Sequence, residues 1–441
     1  MKKICLIGST AILSMLLLAG CPPKGGETGS TSGAAGGGEI LVGEYGSLTG
    51  AQATFGTSTH NGIMMAIDEV NTAGGINGRK IKVITEDDQS KAEEAANAVT
   101  KLISQNNVVA VLGEVASSAS IAAGPICQSN KVPMITPSST NDEVTKKGDY
   151  IFRMCFVDSY QGENQAKFAA KWCDENKQPK QVAILSDVKS DYSQGLAAVF
   201  ERVFTSLGGK IVAKQSYSNG DSDFKSQLTA VKGTNPSLLF VPGYYTDIGQ
   251  IAHQREDLGI KVPMLGGDGW ESPKLIEIGG TALEGSFYTN HYFYGDPAPT
   301  VREFVQKYKA RFGASPDALA ALGYDAARVL ADSMKRATKL DGPSIRDAIG
   351  QTKNFDGVTG RITLGPDRNP LAKKLVIEEI KGGQLTLKGT IDPSSEGGAA
   401  APTSTSGGAL STSGAAVSST SGKAAASAAT STSRGSTSTA H

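Results

Sequence analysis

The sequence predicts an α/β protein built as two doubly wound, parallel-sheet lobes. From Glu39 onward, short strand-like apolar runs alternate with segments of helical period. Several runs, such as VVAVLG at 108–113, are apolar without alternation, as a parallel strand covered by helices on both faces requires. The alternation pauses after VPMITP at 132–137 and starts over at 181, which divides it into two series rather than one sheet.

EILVGEYG (39–46) is the first strand. STHNGIMMAIDEVNTAGG (58–75) follows as a helix with Ile63, Ile67 and Val70 on one face, hydroxyl residues ahead of it as caps, and Gly74-Gly75 to end it. KIKVITEDD (80–88) and KAEEAANAVTKLISQ (91–105) are the next strand and helix. VVAVLG is then followed by the helix EVASSASIAAGPICQSN (114–130) and the strand VPMITP. In the second series QVAILSD (181–187), KIVAKQSY (210–217), SLLFVPG (237–243) and VPMLGG (262–267) are strands. Helical segments at 192–209, 224–233 and 245–259 separate them. Helices are expected again at 300–313 and 317–337, and KLVIEEIKGGQLTLKG (374–389) closes the body as a hairpin turning at Gly382-Gly383.

The ends of the chain read differently. Met1-Lys2-Lys3 is a positive start, ICLIGSTAILSMLLLA is apolar but short for a membrane span, and LAGC occupies 18–21. This resembles a bacterial lipoprotein signal, which implies cleavage after residue 20 and a lipid on Cys21. An ordinary secretory signal with a chance cysteine is the other reading, and both take the protein out of the cytoplasm. Residues 21–38 read as a flexible tether. Residues 392–441, rich in Gly, Ala, Ser and Thr, read as a disordered tail with too little apolar surface for a core.

Lys+Arg number 43 and Asp+Glu 43, with no long basic run, so no nucleic-acid surface is expected. His60, His253, His291 and His441 have no metal-ligand spacing, so neither a metal nor a cofactor is expected. Cys127, Cys155 and Cys173 permit at most one internal disulfide, with buried free thiols equally open.

In parallel α/β sheets, ligands bind beyond the carboxyl ends of the strands. There this sequence places GEVASS, PSST, DVKSDY, PGYY and GGDGW. It has no G-x-S-x-G elbow, Walker lysine loop, H-E-x-x-H, histidine following one of these strands, or G-x-G-x-x-G after the first strand. What is left suits recognition of a small zwitterion. Serines and free amides at a helix start hold a carboxylate, while a threonine hydroxyl, a carbonyl and Asp268 hold an ammonium between tyrosine walls. Taken singly, Ser117 and Ser118 also read as helix caps, Asp268 as a turn residue, and Tyr192, Tyr244 and Tyr245 as ordinary aromatics.

GSLTGAQATFG, GIMMAIDEVNTAGGINGRKIKVITEDDQS, VPMITPSSTNDEVT, IFRMCFVDSYQG and GYYTDIGQIAHQREDLG resemble the leucine/isoleucine/valine-binding family, the type I periplasmic solute receptors of branched-chain amino-acid ABC transporters. The resemblance spans roughly 39–391. It implies the type I periplasmic-binding-protein fold, with lobes 39–157 plus 291–357 and 158–290 plus 358–391 joined by a three-segment hinge. It also implies Ser117 as the carboxylate contact, Ser138 and Thr140 as ammonium contacts, and Tyr192 and Tyr244 as walls. Asp268 becomes the acid for the ammonium, and Phe55 lines the side-chain pocket. Ser118 is then a second-layer residue and Ser120 helix surface or packing. In three places the sequence departs from the family. The acid is an aspartate where leucine-type receptors have glutamate, Trp270 stands ready to reshape the pocket, and Gln89 and Ala116 stand where enteric receptors have a disulfide.

The expected protein is a monomeric, lipid-anchored receptor without a catalytic step. It delivers an amino acid, branched-chain or otherwise aliphatic, to an ABC permease in the inner membrane. A receptor for an amide, urea or aromatic carboxylate, a ligand sensor or envelope scaffold of the same fold, and an enzyme using Ser117 or Ser118 are the alternatives.

Overall fold

The structure, a computed structural model of the chain, describes residues 38–393. The signal segment, Cys21, all but the last residue of the tether, and the tail beyond 393 lie outside the described residues.

The first sheet is built from β1 (Ile40–Gly46), α1 (Ala53–Thr72), β2 (Ile81–Asp87), α2 (Ala92–Ser104), β3 (Ala110–Leu112), α3 (Ser117–Asn130), β4 (Met134–Thr136) and β5 (Ile151–Arg153). Its five strands run in the order β2-β1-β3-β4-β5, all parallel. The three residues of β3 and of β4 are wholly buried, which is why their sequences carry no polar alternation.

Helix α4 (Asp158–Glu175) leads into the second sheet. There follow β6 (Gln181–Asp187), α5 (Asp191–Ser206), β7 (Lys210–Tyr217), α6 (Lys225–Lys232), β8 (Leu238–Phe240), α7 (Tyr245–Asp257), β9 (Met264–Gly266), α8 (Pro273–Gly279) and β10 (Phe287–Asn290). The chain then returns through α9 (Pro299–Phe312), α10 (Ala318–Arg336), α11 (Gly342–Gly350) and the ribbon β11 (Phe355–Gly357) and β12 (Gly360–Ile362). It ends in the hairpin β13 (Leu375–Lys381) and β14 (Gln384–Ile391). The second sheet has the order β14-β13-β10-β9-β8-β6-β7, with the hairpin antiparallel to β10. The parallel strands of both sheets thus repeat one winding, with the strand order reversing between β1 and β3 and again between β6 and β8. Each reversal opens a crevice at the strands' carboxyl ends.

Helix α10 returns to the first lobe because it is apolar nearly all round and packs along α1. The two helices meet backbone to backbone at two glycines. A Cβ on Gly62 would lie 2.0 Å from the carbonyl oxygen of Ala320, and one on Gly323 would lie 2.6 Å from that of Thr59. Alanine would add up to about 1 kcal/mol of helix propensity, yet overpacking of this kind costs about 1–3 kcal/mol. Gly62→Ala is therefore expected to lower stability in urea unfolding, whereas an exposed helical Gly→Ala would raise it.

Several expectations are corrected. Helix α1 starts at Ala53, earlier than its apolar period suggested, and its N-cap, Gln52, has no side-chain cap bond. The hydroxyls expected as caps do other work within the helix: Thr57 donates to Ala53 O, and Ser58 donates to Asp317 at the start of α10. Val358, Ile362 and Leu364 pack in the same core as Ile40 and Ile63. Cys127, Cys155 and Cys173 are all free and buried.

Candidate ligand-binding cleft

Loops from the two strand-order reversals face each other across a small, partly open cavity. Its lining includes every residue expected to bind: Phe55 from the segment after β1, Ser117 after β3, Ser138 and Thr140 after β4, Tyr192 after β6, Tyr244 after β8 and Asp268 after β9. Val115, Gly269 and Leu319 complete it.

At one end lies the start of α3. Its N-cap is Ala116, which offers no side-chain cap, and Ser117 is already the first helical residue. Reading Ser117 and Ser118 as caps is thereby overturned. The N–H groups of the first helical turn have no partner within the helix and carry partial positive charge. The Ser117 hydroxyl oxygen accepts the Asn141 N–H at 3.1 Å, which leaves its own proton to donate. Ser120 is fully buried rather than on the helix surface, 2.7 Å from the Ser139 hydroxyl.

The middle is held by a loop and a buried cation. Arg153 on β5 donates to Ser139 O and Asn141 O at 2.8 Å each, and to Asn369 Oδ1 at 2.6 Å. Thr140 O accepts the Asp158 N–H at 2.8 Å. These bonds fix the loop that carries Ser138 and Thr140. The Ser138 hydroxyl is buried without a hydrogen-bond partner. An orphaned buried donor costs about 1–3 kcal/mol, and this one lies on the cavity wall.

At the far end stands Asp268. Gln161 Nε2 donates to its Oδ1 at 2.9 Å, and His291 Nε2 lies 3.1 Å from its Oδ2. His291 is fully buried, stacks on Phe156 at 3.8 Å, and has its pKa lowered chiefly by burial. It is thus a neutral ring giving its Nε2–H to the carboxylate. Tyr192 and Tyr244 stack at 5.3 Å, with Phe55 edge-on to Tyr244 at 5.7 Å. Burial pushes both phenols well above their ordinary pKa, so they remain neutral hydrogen-bonding groups. The Tyr192 hydroxyl accepts the Gly269 N–H at 3.1 Å.

The lobes are closed on each other by direct bonds. Ser118 Oγ donates to Asp191 Oδ2 at 2.8 Å, Asn141 Nδ2 to Asp191 O at 2.7 Å, and Thr246 Oγ1 to Ala51 O at 2.6 Å. Ser118 is therefore a bridge between lobes. Trp270 does not reach the cavity. It is fully buried, donates Nε1–H to Val241 O at 3.0 Å and lies over Gly266, so its expected effect on the pocket is corrected.

Leu319, Gln161 and His291 were not singled out as site residues. Leu319 enters from the start of α10, which follows no strand. Gln161 belongs to α4 and His291 follows β10, two elements absent from the expected series. The Phe287–Asn290 run just before His291 is the available signal.

With this geometry in place, the comparisons with known proteins agree with the fold. Residues 39–384 match the periplasmic binding protein family. The Leu/Ile/Val-binding protein homolog 2 of Brucella abortus is 30% identical over 349 residues, covering 78% of this chain and 91% of its own length. The structure of the leucine binding protein LivK from Thermotoga maritima has 37% identity and a TM-score of 0.76, covering 80% of this chain and 99% of its own. That of LivJ from Streptococcus pneumoniae, in complex with isoleucine, has 32% identity and a TM-score of 0.74, covering 80% and 100%. The chain belongs to the periplasmic binding protein family, as a two-lobed solute-binding receptor of the ABC-transporter type.

Proposed function

We propose that the protein captures an amino acid, branched-chain or otherwise aliphatic, between its closing lobes and delivers it to an ABC permease in the inner membrane. It works as a monomer held to the membrane by a lipid on Cys21 and carries out no catalytic step. The lobes are 39–157 with 291 to about 364, and 158–290 with about 375–391. The observation that carries this reading is the polarity of the cleft: a helix amino end with a free serine proton on one side, a buried carboxylate on the other, and apolar groups between.

The ligand's α-carboxylate takes the Ser117 hydroxyl and the first amides of α3. Its ammonium takes the Ser138 carbonyl, the Thr140 hydroxyl and Asp268, and its side chain packs on Phe55, Val115 and Leu319. Because the contacts come from both lobes, bound ligand favours the closed form over the open one. The stacked tyrosines beside Phe55 favour a second reading, an aromatic carboxylate or amide as ligand.

Thermal unfolding against a panel of amino acids, amides and aromatic acids separates the two. A ligand at a hundred times its Kd stabilises the native state by about 2.7 kcal/mol. Leucine, isoleucine or valine is expected to raise the midpoint. A rise with aromatic acids or amides alone would establish the second reading instead.

A further inference from the structure

Behind the cavity wall, α4 carries a second buried carboxylate. Asp158 is the first residue of the helix and is fully buried. Gln161, one turn later, ties it to the cleft. The Gln161 Oε1 accepts the Asp268 N–H at 2.9 Å and the Thr289 hydroxyl at 2.7 Å, so its Nε2 must donate. That single amide group donates both to Asp268 Oδ1 at 2.9 Å and to Asp158 Oδ1 at 3.3 Å. Asp158 Oδ2 is buried, with the Thr140 hydroxyl as the carboxyl's other polar neighbour, and the Ser138 hydroxyl is buried without a partner. Two carboxylates joined through one neutral amide in a buried site repel each other, and a cation between them relieves that repulsion.

We propose that Asp158 makes the cleft selective for a cationic head group: with Asp268 and Gln161 it forms a carboxylate pair that is completed by one ligand ammonium, whose arrival drives a proton from the pair into solvent. This rests on the proposed amino-acid function of the same site. The protonated carboxyl of Asp158 gives its proton to solvent, no covalent bond to the ligand forms, and the new carboxylate shares the ammonium field with Asp268. The pKa of Asp158 is raised well above the ordinary value by burial first and by Asp268 next. The Thr140 hydroxyl opposes this next, Asp142 then adds to it, and Arg153 opposes it least. From the other elements, His291 beside Asp268 is neutral, and Tyr192 and Tyr244 are neutral phenols. An acid protonated before capture and ionised after it makes affinity rise with pH while its proton is being lost.

The test uses the purified protein with two probes of one shape, L-leucine and its des-amino counterpart 4-methylpentanoate, by isothermal titration calorimetry at pH 7 in phosphate and in Tris. For the native protein, leucine is expected to bind with a heat that differs between the buffers in the sense of proton release, and 4-methylpentanoate at least tenfold more weakly without that difference. In Asp158→Asn, leucine affinity is expected to fall at least tenfold, 4-methylpentanoate affinity to stay unchanged, and the buffer dependence to vanish. Equal losses for both probes would reduce Asp158 to a packing role and overturn the inference. So would a native heat that is the same in both buffers, a readout that stands even if the variant does not fold. Native protein that binds neither leucine nor any other amino acid would instead remove the proposed function itself.

Discussion

Replacing Asp268 with asparagine is expected to weaken leucine binding by about 2–5 kcal/mol, roughly thirtyfold to several thousandfold. The carboxylate is almost fully buried, so a ligand ammonium that reaches it has given up its water and depends on that charge. Asparagine keeps the shape and one acceptor for Gln161 Nε2 but removes the charge and turns an amide N–H₂ toward His291 or Gln161. Circular dichroism should show an unchanged fold, and calorimetry should show the loss. Leucine binding within threefold of the native value would mean that the ammonium sits elsewhere.

The largest expected effect on stability comes from Arg153→Met. This substitution keeps much of the volume but removes the charged donor from the carbonyls of Ser139 and Asn141 and from Asn369 Oδ1, leaving them the longer bonds from Cys155 Sγ at 3.4 Å, Val144 N–H at 3.2 Å and Thr145 Oγ1 at 3.2 Å. A hydrogen bond from a charged donor contributes about 1.5–3 kcal/mol, so losing these three costs on the order of 4 kcal/mol. That is a large part of the 5–15 kcal/mol that holds a typical domain folded. The expected result is a strongly lowered unfolding midpoint, together with loss of ligand binding because the loop carrying Ser138 and Thr140 is released. A midpoint within about a degree of the native value would show that water or neighbouring groups replace the guanidinium.

Much of the fold was legible because parallel strands between two helical layers must be apolar on both faces. QVAILSD and KIVAKQSY match β6 and β7 to the residue. Elements without that mark were missed. Strand β5 has only three residues, one of them Arg153, whose charge disguises a fully buried position. Helix α4 opens with Asp158 and Gln161, buried polar residues that break its apolar stripe. Missing these elements, together with β10, hid the groups that hold Asp268 in place. The cavity lining itself was legible from the rule that ligands meet strand ends, supported by family resemblance. Leu319 escaped because it comes from a helix start reached through the second passage between the lobes. The cap expected of Ser117 failed for a local reason: the helix begins at Ser117 itself, one residue earlier than a Ser117 cap would need, with Ala116 as the N-cap.

The most direct measurement is a crystal structure of the protein grown with L-leucine. The leucine carboxylate should lie within hydrogen-bond distance of the Ser117 hydroxyl and the first amides of α3. Its ammonium should lie against Thr140 and Asp268, with the isobutyl group on Phe55, Val115 and Leu319. Leucine bound in the reverse orientation, or outside this cavity, would refute the proposed site.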